Sequence, residues 1–241
     1  MYIPPILRNT LNKDIPTIEN LCDEFLHIDD TPEANVCHCC SENNTCVRKS
    51  VTCVVILKKD EDEIYSKVYK NKSFQDAPAI HAEIFVISDQ ELKSKLDYNQ
   101  SLCMYLTFQP CHYSGGHNRV KKGSCTESIQ RYYLNVLKPF NISLHIKFAY
   151  LYRAHWIDID PKYTIMIENA KKGLKILSSF AKISVIDSDD INILKKFCNH
   201  DTQKKLNSGH YDTLILNRSK IVRFIENFLQ TISRDKCMPC N

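Results

Sequence analysis

The stretch Ser124-Cys125-Thr126-Glu127-Ser128-Ile129-Gln130-Arg131-Tyr132-Tyr133-Leu134-Asn135-Val136-Leu137 announces a helix and then sustains it. Ser124 and Glu127 have the S-x-x-E spacing of a capping box. Ile129, Tyr132, Tyr133, Val136 and Leu137 follow at i, i+3, i+4, i+7 and i+8, the apolar stripe of an amphipathic helix. Pro139 lies just past its end, where it cannot prolong the helix. Upstream, Leu102 to Phe108 reads as a buried strand. Downstream, Ser143 to Tyr152 alternates as a long strand. Strand, helix, strand in this order implies parallel neighbours on that side of a sheet.

The same reading extends outward. Val51 to Leu57 is β-branched and continuous, and Glu63 to Tyr69 alternates. Together they predict a hairpin joined by Lys58–Asp62. Ala79 to Ser88 predicts a short helix. Ile167 to Phe180 predicts a helix with Ala170, Leu174 and Leu177 inward. A strand at Ile183–Ile186 and a helix at Asp190–Phe197 come next. Ile221, Phe224, Ile225, Phe228, Leu229 and Ile232 predict a final amphipathic helix. Near the N-terminus, Ile18, Leu21, Cys22 and Phe25 fall at helical spacing, and residues 31–49 read as a polar, cysteine-rich loop. The expected fold class is α/β, a five-stranded mixed sheet covered by helices. Residues 51–235 form one domain, 1–50 an N-terminal helix and loop packed on it, and 236–241 a tail.

Composition sets the outer bounds. The chain has 241 residues, 43% hydrophobic and 25% charged, with a net charge of +4. That excludes a disordered or collagen-like chain. Its 12 cysteines fall short of a small disulfide scaffold. The first sixty residues carry nine acidic and six basic side chains, and residues 195–236 carry nine basic and four acidic. No run of 18 apolar residues exists, so no membrane span is expected. The first residues lack a secretory pattern, which predicts a cytoplasmic and/or nuclear, reducing location.

Three pieces of chemistry line up on these elements. His81-Ala82-Glu83 opens the short helix, Pro110-Cys111 follows a buried strand, and Cys125 lies in the first turn of the capped helix. One histidine and two thiolates suit Zn2+, which in catalytic sites takes three protein ligands and leaves a fourth position open. Helix N-termini favour thiolates. Glu83, two residues after His81, is placed to exchange protons with water without binding the metal.

The H-x-E, P-C and C pieces, with Leu106-Thr107-Phe108-Gln109-Pro110-Cys111, Ile142-Ser143-Leu144-His145-Ile146, Leu151-Tyr152, Gly173-Leu174-Lys175-Ile176-Leu177 and the Ile221–Leu229 helix, resemble the AID/APOBEC-like family of zinc-dependent polynucleotide cytidine deaminases. The resemblance implies a cytidine-deaminase-like fold over residues 51–235. It implies that His81, Cys111 and Cys125 hold zinc, that Glu83 shuttles protons, and that Tyr152 stacks on the target base. Phe108 replaces the family's tryptophan and Gln109 the following serine. The loop Arg153–Lys162, with His155 and Trp156, would read the base 5′ of the target. Asn43, Asn44, Arg48 and Lys49 would border the substrate groove.

The main departure is spacing. The family has C-x₂-C or C-x₄-C. Here thirteen residues separate Cys111 from Cys125, Ser114 takes the usual second-cysteine position, and His112–Gly123 reads as an insert. The capping box favours Cys125 as the ligand; His117, and after it His112, compete for that role. Arg119, Lys121 and Lys122 would sit beside the site mouth, suited to phosphate.

The implied activity is deamination of cytosine to uracil in single-stranded nucleic acid, DNA favoured over RNA. It would serve antiviral or mobile-element defence, or editing. Free cytidine or its nucleotides, adenosine, and a silent zinc-containing nucleic-acid-binding module stay open as alternatives. The oligomeric state is left open. Plainer readings stand beside these: a core histidine, buried thiols, a four-ligand structural zinc with His117, and core aromatics for Phe108 and Tyr152. Cys37-His38-Cys39-Cys40 with Cys46 and Cys53 reads as a second metal group or as free thiols. Cys237-Met238-Pro239-Cys240 reads as a frayed tail, and Cys22, Cys103 and Cys198 as core thiols.

Overall fold

β1 (Thr52–Lys59) and β2 (Asp62–Lys70) pair antiparallel from Thr52 against Lys70 to Lys59 against Asp62. Asp60 and Glu61 make the turn with φ of 50° and 71°. Positive φ at both central residues gives the twist a two-residue hairpin requires. In this computed structural model the described residues are 52–71, 80–113, 124–150, 164–198, Arg223 and 226–230. Within them follow α1 (Ala82–Ser88), α2 (Gln90–Ser94), β3 (Ser101–Phe108), α3 (Cys125–Tyr132), β4 (Ser143–Tyr150), α4 (Thr164–Leu177), β5 (Lys182–Val185) and α5 (Ser188–Leu194).

The sheet order is β2-β1-β3-β4-β5. β1 runs antiparallel to β3, while β3, β4 and β5 are mutually parallel neighbours. This is the expected five-stranded mixed sheet, and its arrangement is consistent with a deaminase-like fold. Its two faces separate cleanly. Cys53, Val55, Leu57, Met104, Leu106, Ile146 and Phe148 face one core with α1, α3 and α4. Val54, Ile56, Tyr105 and Ala149 face the other, closed by Ile191 and Leu194 of α5. The period-2 alternation of each strand therefore feeds two helical layers. Residues 226–230 are helical, and Phe228 and Leu229 pack on the first core. Among the described residues no helix is long and apolar enough to cross a membrane.

The sequence reading needs three corrections. It passed over α2, whose five residues are too few to show a period. An aspartate makes this helix: Asp89 Oδ1 accepts from the backbone of Glu91 and Leu92 at 2.7 and 3.1 Å. The capping box at Ser124 is half formed. Ser124 Oγ accepts from Glu127 N, while the Glu127 carboxylate instead accepts from the Tyr113 hydroxyl at 3.1 Å. The reciprocal box occurs at α5, between Asp187 and Asp190. Cys198 is buried in the second core as expected, but it is disulfide-bonded and not a thiol. Cys103 is a half-buried free thiol, and Cys53 a fully buried one. The segments 1–50 and 236–241 lie outside the described residues.

Asp89 does more than cap. Its Oδ2 accepts from Lys67 Nζ and the Tyr69 hydroxyl, both at 2.8 Å, and from the Tyr65 hydroxyl at 3.2 Å. Burial pushes the carboxyl pKa up, but Lys67, Tyr69 and the Leu92 N–H outweigh it and hold it below the ordinary value. Asp89→Ala should cost about 2–4 kcal/mol, from a cap worth about 1 kcal/mol and charge-assisted hydrogen bonds worth about 1.5–3 kcal/mol. A depressed carboxyl pKa stabilises above the unfolded value and ceases to do so as pH falls through the folded one. The stability gap between wild type and Asp89→Asn, measured by urea melts, should therefore be full at pH 6 and shrink below about pH 4.

Candidate metal centre

The site forms at the carboxyl end of β3, where open α/β sheets collect ligands. His81 is the extended residue that caps α1, with φ −75° and ψ 150°. Its side chain makes no capping bond, which leaves the imidazole to face the cysteines. The acceptor that α1 needs comes from Asn71, just past β2, whose Oδ1 receives Ala82 N–H at 2.7 Å. Cys111 follows β3 by three residues, and Cys125 is the first residue of α3. Three separate elements thus deliver one donor each.

His81 Nδ1 lies 3.2 Å from Cys125 Sγ and 3.5 Å from Cys111 Sγ. All three donor atoms fall within 4.8 Å of one another, and they are a group that could hold a metal ion. His81 and Cys111 are half-buried and Cys125 is buried. Glu83, in the first turn of α1, is 2% exposed. Its Oε2 has no hydrogen-bond partner among the described residues. A buried carboxylate oxygen left so costs roughly 1–3 kcal/mol or more.

The four groups perturb one another. The Cys125 thiol and then the His81 imidazole stabilise the Cys111 thiolate and pull its pKa down, even against burial. Cys125, beside that thiolate and buried, is pushed up. His81 rises to about 9, chiefly through its hydrogen bond to Cys111. Glu83 rises to about 7, because burial disfavours its charge more than His81 favours it. Four titratable groups thus shift one another in one place, the kind of environment in which perturbed groups mark a functional site.

The sequence placed His81, Glu83, Cys111 and Cys125 in one site, and the structure brings all four together. Phe108 is half-buried at the end of β3, level with Tyr150 of β4. His112 is not a member of the donor group; its Nδ1 is 3.0 Å from Ser124 Oγ. His117, Arg119, Tyr152, His155, Trp156 and Asn43 lie outside the described residues, as do Cys37, Cys39, Cys40 and Cys46. Sequence reasoning missed Asn71 and Thr126, and it read His112 as a competing ligand, which the donor group does not include. Asn71 follows a strand and carries no local signal of the helix it supports eleven residues later.

The purified chain should bind one transition-metal ion per molecule, one that accepts sulfur and nitrogen ligands. Cobalt(II) titration read by thiolate-to-metal charge-transfer absorption measures this. Cys111→Ser and Cys125→Ser should each weaken binding by more than about 100-fold, beyond the 10–100-fold usual for an outer-sphere partner. Unchanged binding in both variants would remove the three residues from any metal site. No protein-family model matches the sequence, and no curated protein matches it, so this site stands on its geometry alone.

Proposed function

We propose that the protein is a zinc-dependent hydrolytic deaminase that converts cytosine to uracil in single-stranded nucleic acid, with DNA favoured. The observation that carries this reading is the buried, unpartnered Glu83 Oε2 beside a three-donor His81, Cys111, Cys125 group. Among the described residues the group offers three protein donors, the number that a catalytic zinc takes, where structural zinc takes four. The spacing fits: tetrahedral zinc at its usual bond lengths separates nitrogen from sulfur by about 3.6 Å, against 3.2 and 3.5 Å here. A thiolate-rich donor set also suits zinc over hard cations.

When bound, zinc supplies Lewis-acid activation of water. Glu83 then serves as the proton carrier. It takes a proton from the attacking water and places it on N3 of cytosine. Oxygen adds at C4, the second water proton passes through Glu83 to the exocyclic amine, and the C4–N4 bond breaks. Cytosine and water become uracil and ammonia. Burial, which pushes the Glu83 pKa up against the ordinary carboxylate, suits a group that must both accept and release a proton. The substrate class comes from the sequence resemblance. The base must leave any stack to reach this buried carboxylate, so single strands are the easier substrate. Phe108, the last residue of β3 and three positions before Cys111, would supply an apolar wall for it.

Zinc-loaded wild type should convert cytosine to uracil in a single-stranded DNA oligonucleotide, scored by uracil excision and strand cleavage. Glu83→Ala should lose about 10²–10⁴-fold in kcat/KM. It should melt at or above the wild-type temperature, because it removes an unsatisfied buried oxygen. Silence of folded, zinc-loaded protein on DNA, RNA and free cytidine alike would sink the deaminase reading.

A further inference from the structure

Two donors with thirteen residues between them need something other than a short turn to hold them together. We propose that His112 is a positioning residue for the metal group, the centre of a clasp that sets Cys111 against Cys125; this rests on the metal-binding reading above. The clasp is built of four hydrogen bonds at the base of the insert. Thr126 N–H donates to Cys111 O at 3.1 Å, and Ser124 Oγ donates to the same oxygen at 3.2 Å. Thr126 Oγ1 donates to Pro110 O at 3.4 Å. His112 Nδ1 meets Ser124 Oγ at 3.0 Å.

The Ser124 hydroxyl fixes the direction of the last bond. A hydroxyl has one proton and two lone pairs. The proton goes to Cys111 O, and one lone pair receives Glu127 N–H. The remaining lone pair receives His112, so the imidazole donates through Nδ1–H. Ser124, His112 and Thr126 are buried at 1%, 3% and 0% exposure, where such a saturated hydroxyl specifies a single geometry. His112 is also braced from behind. A Cβ at Gly173 of α4 would stand 2.6 Å from His112 Cβ and 3.2 Å from Thr126 Oγ1. Only glycine lets α4 press against the clasp this closely. Tyr113 closes the outer layer, with its hydroxyl on Glu127 and its carbonyl receiving Asn169 Nδ2 at 3.3 Å. The clasp makes the cysteine pair independent of a short C-x₂-C or C-x₄-C spacer.

The test compares His112→Leu, which cannot donate, with His112→Asn, whose amide can. Gly173→Ala displaces His112 without touching a ligand or the α3 cap. Zinc affinity is read by competition with a chromophoric chelator, and ligand geometry by the cobalt(II) absorption spectrum. His112→Leu and Gly173→Ala should weaken zinc binding about 10–100-fold and shift the cobalt bands. His112→Asn should restore both. If wild type binds neither metal, the metal reading falls and the clasp with it. If wild type binds and both disrupting variants match it in affinity and spectrum, the clasp alone is overturned. Should His112→Leu fail to fold, Gly173→Ala decides.

Discussion

The crowding of a carboxylate, an imidazole and two thiols at the end of β3 is the constraint around which this molecule is arranged. Each group alone would be cheaper in water, and isolated buried charge is costly. The chain tolerates them together because each offsets another. The Cys111 thiolate is stabilised by the Cys125 thiol and by His81. Glu83 is buried beside them and keeps one oxygen without a hydrogen-bond partner. Partial satisfaction of this kind is poor design for stability and suits a site left to be completed by a bound group.

The scaffold answers that constraint with rigid parts. Two helix N-termini, α1 and α3, converge over one strand end and bring favourable dipoles to the thiols and the carboxylate. Neither helix start relies on the residue that offers a metal donor. Asn71 supports α1, so His81 is spared. Ser124 supports α3, so Cys125 is spared. Holding ligands on element ends, with separate residues doing the structural work, is the logic by which outer-sphere partners orient a metal site.

Much of this was legible in the sequence. Five strands and their order along the chain follow from periodicity, and the parallel run β3, β4, β5 from the helices between them. Ser124 revealed Cys125 as a helix-start residue, and that resolved a thirteen-residue spacing that no motif describes. The illegible parts are of two kinds. α2 is one and a half turns long, so only Asp89 marks it, and a lone aspartate before a polar stretch is indistinguishable from a turn. The clasp is tertiary: His112, Thr126 and Gly173 come together from three segments, and a glycine in α4 says nothing about which side chain presses on it. Glu127 shows the same limit from the other side, since its spacing predicts a bond to the Ser124 backbone that Tyr113 takes instead.

The donors of the site are far apart along the chain: His81 and Cys111 by 30 positions, His81 and Cys125 by 44. The β1–β2 hairpin needs only its own turn, whereas this group exists only once β3 has joined β1 and α3 has crossed toward β4. Loop-closure entropy for those contacts is met by the assembly of the whole sheet. Ligand that binds the native state alone stabilises it by RT ln(1 + [L]/Kd). A metal ion held there would therefore report on the entire domain. At 100 times Kd it would add about 2.7 kcal/mol to global stability, and a lesion in the sheet, however distant, would show as weaker retention of the ion.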